Sequence, residues 1–241
     1  MELRDHRFFI NDFFENKIFE LTKFDAHHII NVLRLKIGDL IEIAFLDKVY
    51  LCEIKKIEKQ KLFILPKEYL YSIKEEKTKI NLITAIPKLN RYDILLEKCT
   101  ELGINEIIPI ITKRSIKKNI TKTIIDRQKK IILSAAKQSR RDTIPKLYEP
   151  INIFDLIALI KKDSLKIVFY EKSNNVINSI NFDISNNIYY LIGPEGSLTD
   201  EEIKYLIENN FISVKLNTPI LRVETAAITG LIVILNKLNK I

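Results

Sequence analysis

Glycine is scarce in this chain: five occur among 241 residues, and none falls in a GxGxxG, GxxxxGKS or GxxxxGKT spacing. The backbone cradles that those motifs build around dinucleotide and ATP phosphates are therefore not encoded. Cysteine is just as thin. Cys52 and Cys99 stand far apart with no CxxC spacing, which speaks against a zinc site and a disulfide framework; both are expected as reduced, packed thiols. Only three histidines occur, and no further ligand types surround His27 and His28, so packing and capping are their expected roles and no metal is expected. Long apolar runs are missing too. The longest near the C-terminus, TAAITGLIVIL, falls well short of the roughly 20 residues that span a bilayer. The opening MELRDHRFF is charged throughout and lacks the apolar core of a signal peptide, so a cytoplasmic location is expected.

What is present has the balance of a folded globular protein, 46% hydrophobic and 29% charged. A formal net charge of +8 calls for an acidic partner, and nucleic acid is the leading candidate. From Leu40 to Pro66, the runs LIEIAFL, KVYLCEIKKI and KLFILP alternate and branch as strands do, and TKFDAHHIINVLRLK before them has helical spacing at Phe24, His28 and Val32. The charge-rich stretch from Ser72 to Lys79 has the character of a linker. Two domains are expected, residues 1–71 and residues 72–241.

Beyond the linker the rhythm becomes strand, helix, strand, helix. KINLITAI, EIIPII, LKIVFY, IYYLIG and ISVKL are strands; between them lie a helix with Asn90 as its cap and Gly103 closing it, and helices near 121–139, 152–161, 199–209 and 224–238. Such alternation predicts an α/β fold with a mostly parallel sheet covered by helices on both faces.

Two loops stand out. Gly193-Pro194-Glu195-Gly196 follows a buried-type strand and fits a type I turn, and Thr199 with Glu202 forms a capping box that starts a helix at once. Strand end, glycine turn and helix start together suit a nucleotide-like ligand, although many strand-to-helix turns of this kind bind nothing. LNTPILRVETAAITGL, from Leu216 to Leu231, again follows a strand and sets Arg222 and Glu224 before an apolar helix. A lone Arg–Glu pair there is also an ordinary salt bridge, but a strand's C-terminal edge favours function.

LIGPEGSLTDEE, ILRVETAA, LEKCTELGINEIIPI, AAKQSRRDTIPKL and HHIINVLRLKIGD, in the family's order along nearly the whole chain, resemble the ribosomal RNA small subunit methyltransferase E family of the SPOUT class. The resemblance implies methyl transfer from S-adenosylmethionine to N3 of a uridine in 16S rRNA. It also implies an N-terminal PUA-like β-barrel, a SPOUT α/β domain with a trefoil knot, and a homodimer. Composition and periodicity carry none of this.

Carried over by position, the implied cofactor-binding residues are Thr84, Leu191, Gly193, Pro194, Glu195, Gly196, Leu216, Ile220, Leu221, Thr225 and Ala226. Arg222 is the expected stabiliser of charge on the base, and Glu224 either orients Arg222 or helps with the proton. Arg34, Lys36, Lys88, Arg91, Arg114, Arg140 and Arg141 are the expected RNA contacts. This chain departs from the family at Ser197, where a further glycine is usual, and at Asn217 and Pro219, which replace a glycine and an arginine. The alternatives are another SPOUT methyltransferase, acting on tRNA or a ribose hydroxyl, and a non-catalytic RNA-binding protein.

Overall fold

The computed structural model describes residues 7–10, 17–74, 76–115, 120–182 and 187–241. Two units are distinguished, one formed by residues 1–75 with 137–143 and the other by residues 76–136 with 144–241. Glu75, within the expected linker, and the first six residues of MELRDHRFF lie outside the described residues.

The first unit contains β1 (Arg7–Phe9), β2 (Phe19–Glu20), α1 (Lys23–His27), β3 (Leu40–Phe45), β4 (Lys48–Glu58) and β5 (Lys61–Ser72), with the five strands in the order β1-β3-β4-β5-β2. The expected first helix is α1 running directly into a π-helical turn, His28–Val32. Thr22 caps it by accepting the Asp25 N–H at 3.2 Å, and Ala26 and Ile29 face the core. β5 runs six residues past Pro66, where the sequence had suggested a stop. Pro66 cannot donate to a ladder, and the sheet accommodates it with a bulge: Cys52 pairs with Pro66 and Leu51 with Glu68, which leaves Lys67 unopposed.

In this unit Arg7, only 7% exposed, organises the 137–143 segment. Its guanidinium meets Glu42 at 2.6 Å, donates to the Arg140 carbonyl at 3.2 Å and pairs with Asp142 at 2.5 Å, while Tyr71 accepts from it at 2.7 Å. Lys137 pairs with the buried Asp25.

The second unit comprises β6 (Ile80–Ala85), α2 (Leu89–Glu101), β7 (Glu106–Ile111), α3 (Lys122–Gln138, its last two residues counted with the first unit), β8 (Lys146–Leu147), β9 (Ile151–Asn152), α4 (Leu156–Leu159), β10 (Ser164–Phe169), β11 (Asn187–Ile192), α5 (Asp200–Glu208), β12 (Ile212–Val214) and α6 (Val223–Lys237). All its strands are parallel, in the order β12-β10-β11-β6-β7-β8, with β9 also on β7.

The period-2 alternation of each strand sends its residues to two cores. Ile80 and Leu82 of β6, with Ile188, Tyr190 and Ile192 of β11, pack with α2 and α6; Ile83, Ala85, Tyr189 and Leu191 pack with α4 and α5. Pro109 sits inside β7 without breaking it. Ile107 directs its carbonyl to the Tyr148 N–H at 3.0 Å, so Pro109, two residues on, faces the same side. There β8 ends at Leu147 and β9 begins at Ile151, so the missing donor falls in a gap between the two.

Two expected helix details differ. α2 begins at Leu89 with Lys88 as its N-cap, so Asn90 lies inside the first turn, where its Oδ1 accepts the Arg91 N–H at 3.0 Å. Gly103 does close that helix, at φ 97°, a conformation suited to glycine. The 152–161 segment is a 3₁₀ turn, Ile153–Asp155, followed by the short α4. Cys52 and Cys99 are free and buried, and burial pushes both thiols up to about 12. No described helix is long and apolar enough to cross a membrane.

Candidate ligand site at the ends of three parallel strands

Because β12, β10 and β11 are neighbours and parallel, their C-terminal ends open on one edge of the sheet. The segments at those ends enclose a cavity of about 840 Å³, within the range of small-molecule sites. Phe169 to Glu171 line it after β10, Ile192 to Leu198 after β11 and Lys215 to Leu221 after β12, while Val223 and Ala226 of α6 complete the wall.

The Gly-Pro-Glu-Gly loop is built differently from a simple Gly193–Gly196 turn. The Ser197 N–H donates to the Pro194 carbonyl at 2.9 Å, so the reversal spans Pro194 to Ser197, and Ser197 takes φ 61°. A glycine in place of Ser197 would adopt that conformation without a side-chain clash. Gly193 lies close to its neighbour: a Cβ there would come 3.1 Å from Leu198 Cγ, so the leucine side chain would have to give by a few tenths of an ångström. A Cβ on Gly196 would make ordinary contact with Arg114 Cβ at 3.5 Å. In α6, a Cβ on Gly230 would meet the Phe169 ring at 2.9 Å, so that glycine lets the helix lie close to a wall residue of the cavity.

The capping box forms as expected. Thr199 Oγ1 accepts the Glu202 N–H at 3.3 Å and Glu202 Oε2 accepts the Thr199 N–H at 2.8 Å. The other oxygen of Glu202, a residue only 1% exposed, accepts the Lys113 N–H at 2.7 Å. Arg114 donates to the Gly196 carbonyl at 2.8 Å and lies 3.5 Å from that of Leu198. Residues 112–115, after β7, are thereby tied to the loop after β11.

Of the expected cofactor residues, Gly193, Pro194, Glu195, Gly196, Leu216, Ile220, Leu221 and Ala226 line the cavity. Thr84, Leu191 and Thr225 do not, for geometric reasons. Thr84 is fully buried in β6 and donates to the Ala85 carbonyl at 2.9 Å. Leu191 points to the α4–α5 face, and its neighbour Ile192 reaches the wall instead. On α6, Val223 and Ala226 share a side three residues apart, while Thr225 is turned outward.

Arg222 is the N-cap of α6, exposed, with no ion pair or side-chain hydrogen bond among the described residues. Glu224 is buried and pairs not with Arg222 but with Arg91, whose Nε lies 3.8 Å from Oε1; Arg91 also reaches Glu195 Oε1 at 3.7 Å. Glu224 Oε2 is buried with no partner among the described residues. Arg91 thus lies between the cavity loop and the start of α6.

Arg34, at φ 56°, and Lys36 are exposed in the first unit, and Lys88 is exposed in the second. Arg140 and Arg141 lend their carbonyls to Arg7, at 3.2 and 3.4 Å. Phe169, Tyr170, Glu171, Lys215 and Thr218 were not anticipated on the wall. Alternation identifies the strand before Phe169, but its place beside β11 depends on sheet order, which no local pattern carries.

A family model for the RNA methyltransferase domain matches residues 74–235, and one for the RNA methyltransferase PUA domain matches residues 21–67. The chain is 34% identical over 226 residues to ribosomal RNA small subunit methyltransferase E of Mesomycoplasma hyopneumoniae, covering 92% of this chain and 96% of that one. It is 33% identical to the protein of the same name from Rickettsia conorii, over 95% and 94% of the two chains. Among solved structures, ribosomal RNA small subunit methyltransferase E from Neisseria gonorrhoeae bound to S-adenosyl methionine superposes with a TM-score of 0.87 at 25% identity, over 96% and 97% of the chains. A Legionella pneumophila structure in complex with the bound cofactor SAM does so with a TM-score of 0.87 at 27% identity, over 95% and 96%.

Proposed function

Because this chain belongs to the ribosomal RNA small subunit methyltransferase E family, we propose that it methylates N3 of a uridine in 16S rRNA, using S-adenosylmethionine. The observation that carries the reading is the single cavity into which both sequence-marked loops converge. Its make-up fits the cofactor. Ile192, Leu216, Ile220, Leu221, Val223 and Ala226 offer apolar surface for a purine, the three loops offer backbone groups for its edge, and Glu171, Glu195 and Lys215 offer charge for the polar remainder.

S-adenosylmethionine, when bound, supplies the methyl group. The protein's task is to prepare the base. Uridine N3 carries a proton, and it becomes a useful nucleophile only as that proton leaves or is shared. Arg222, exposed and without a side-chain partner among the described residues, donates to a uracil carbonyl and stabilises the negative charge that develops there. Glu224, behind it and paired with Arg91, assists the proton's departure.

The same reading gives residues 1–71 as a PUA-like barrel that binds RNA and residues 72–241 as a SPOUT domain with a trefoil knot. The working form is a cytoplasmic homodimer acting on the 30S subunit. Arg34, Lys36, Lys88, Arg140 and Arg141 are its proposed phosphate contacts, and the net charge of +8 supports an anionic partner. Calorimetric titration with S-adenosylmethionine tests the cofactor assignment. Saturable one-site binding is expected, and no binding would leave the non-catalytic RNA-binding reading in its place.

A further inference from the structure

We propose that Arg114 is a positioning residue that sets the shape of the cofactor loop after β11, and not a contact for RNA phosphates. The inference rests on the reading of this cavity as the S-adenosylmethionine site and adds to it a residue outside the cavity wall.

Three observations converge on Arg114. Its Nη1 donates to the Gly196 carbonyl at 2.8 Å and lies 3.5 Å from the Leu198 carbonyl, so one guanidinium nitrogen sits between two carbonyls of the loop. Its aliphatic stem covers Gly196: a Cβ built there would lie 3.5 Å from Arg114 Cβ and 3.6 Å from Arg114 Cδ. Its neighbour Lys113 is held by Glu202, the same buried carboxylate that accepts the Thr199 N–H, so the base of the arginine is fixed to the helix start that the loop leads into. Gly196, Ser197 and Leu198 all line the cavity. Arg114 therefore grips the loop from outside while a ligand would meet it from inside.

The loop needs such a grip. Ser197 adopts φ 61°, a conformation that costs a non-glycine residue energy and persists only when its surroundings impose it. The Ser197 N–H bond to Pro194 and the Arg114 bond to Gly196 are the contacts that impose it here.

The test compares Arg114→Met, which keeps the stem and removes the donors, with Arg114→Lys, which keeps the charge but ends one bond short of the Nη1 position. Hydrogen exchange is followed in the cofactor-free full chain at the Ser197 and Thr199 amides, and S-adenosylmethionine affinity is measured by calorimetry. RNA affinity is measured against salt. In Arg114→Met, exchange at 197–199 should quicken while β11 stays protected. The cofactor Kd should rise, by about tenfold if the loop without this bond holds its binding-competent shape about a tenth of the time, with kcat at saturating cofactor and the RNA salt slope unchanged. Arg114→Lys should weaken cofactor binding in the same direction, whereas at a phosphate contact lysine would substitute for arginine.

Unchanged exchange and cofactor affinity in Arg114→Met would overturn the proposal. So would a salt slope reduced by about one phosphate contact with the loop unaffected. If the wild-type chain failed to bind S-adenosylmethionine, the cofactor assignment would fall, and the exchange comparison would still decide whether Arg114 holds the loop.

Discussion

At the scale of single residues, Gly193 and Gly196 and the Thr199–Glu202 capping box could be located from local chemistry, because turns and caps depend on near neighbours in sequence. The position of the turn could not. It falls at Pro194–Ser197 through a hydrogen bond that competes with the Gly193–Gly196 alternative, and only the packed loop decides between them. Ser197 carries the consequence of that shift at φ 61°. Replacing it with glycine should relieve about 1 kcal/mol of backbone strain. A thermal melt of Ser197→Gly should then show a midpoint raised by roughly 2–4 °C for a chain of this size; an unchanged or lower midpoint would mean that the serine is not strained. Arg91 and Arg114 show the limit of charge-based inference. Charge marks both as candidate phosphate contacts but says nothing of their internal partners: in the fold one pairs with Glu195 and Glu224 and the other donates to the Gly196 carbonyl.

At the scale of elements, hydrophobic period identified β6, β7, β10, β11, β12 and most helices of the second unit, because each buries a regular face. It did not identify β8 and β9, which at two residues each are too short to show a period. The other misses occur where another force overrides the period. β5 continues through Pro66 because a bulge absorbs the missing donor, and the helix expected at 152–161 yields to a 3₁₀ turn capped by Asn152. Contacts between elements were not legible at all. Arg91, in the first turn of α2, pairs with the buried Glu224 in the first turn of α6, and removing it would leave that carboxylate without the counter-charge it has among the described residues. Arg91→Met should therefore lower the melting midpoint. Adding Glu224→Gln to that variant should recover part of the loss, giving a coupling energy distinguishable from zero in a double-mutant cycle. Strictly additive effects would mean that the 3.8 Å pair contributes nothing to stability.

At the scale of the whole molecule, the rhythm of strands and helices was enough to anticipate an α/β fold, but nothing in it groups residues 137–143 with residues 1–75. That return depends on Arg7 and Asp25 meeting partners more than a hundred positions away, and no local window contains such pairs. The cavity is likewise a product of strand order, with walls drawn from segments between Phe169 and Ala226 that are adjacent only once β12, β10 and β11 are aligned. The central claim joins that cavity to a reaction on RNA. It is tested most directly by single-turnover transfer of an isotopically labelled methyl group from S-adenosylmethionine to unmethylated 30S subunits, read by nucleoside mass spectrometry of the 16S rRNA. The account predicts label on the N3 position of uridine, with the rate reduced roughly 100-fold or more by Arg222→Ala while cofactor affinity changes little. Label on a ribose hydroxyl, or no label with cofactor bound, would contradict it.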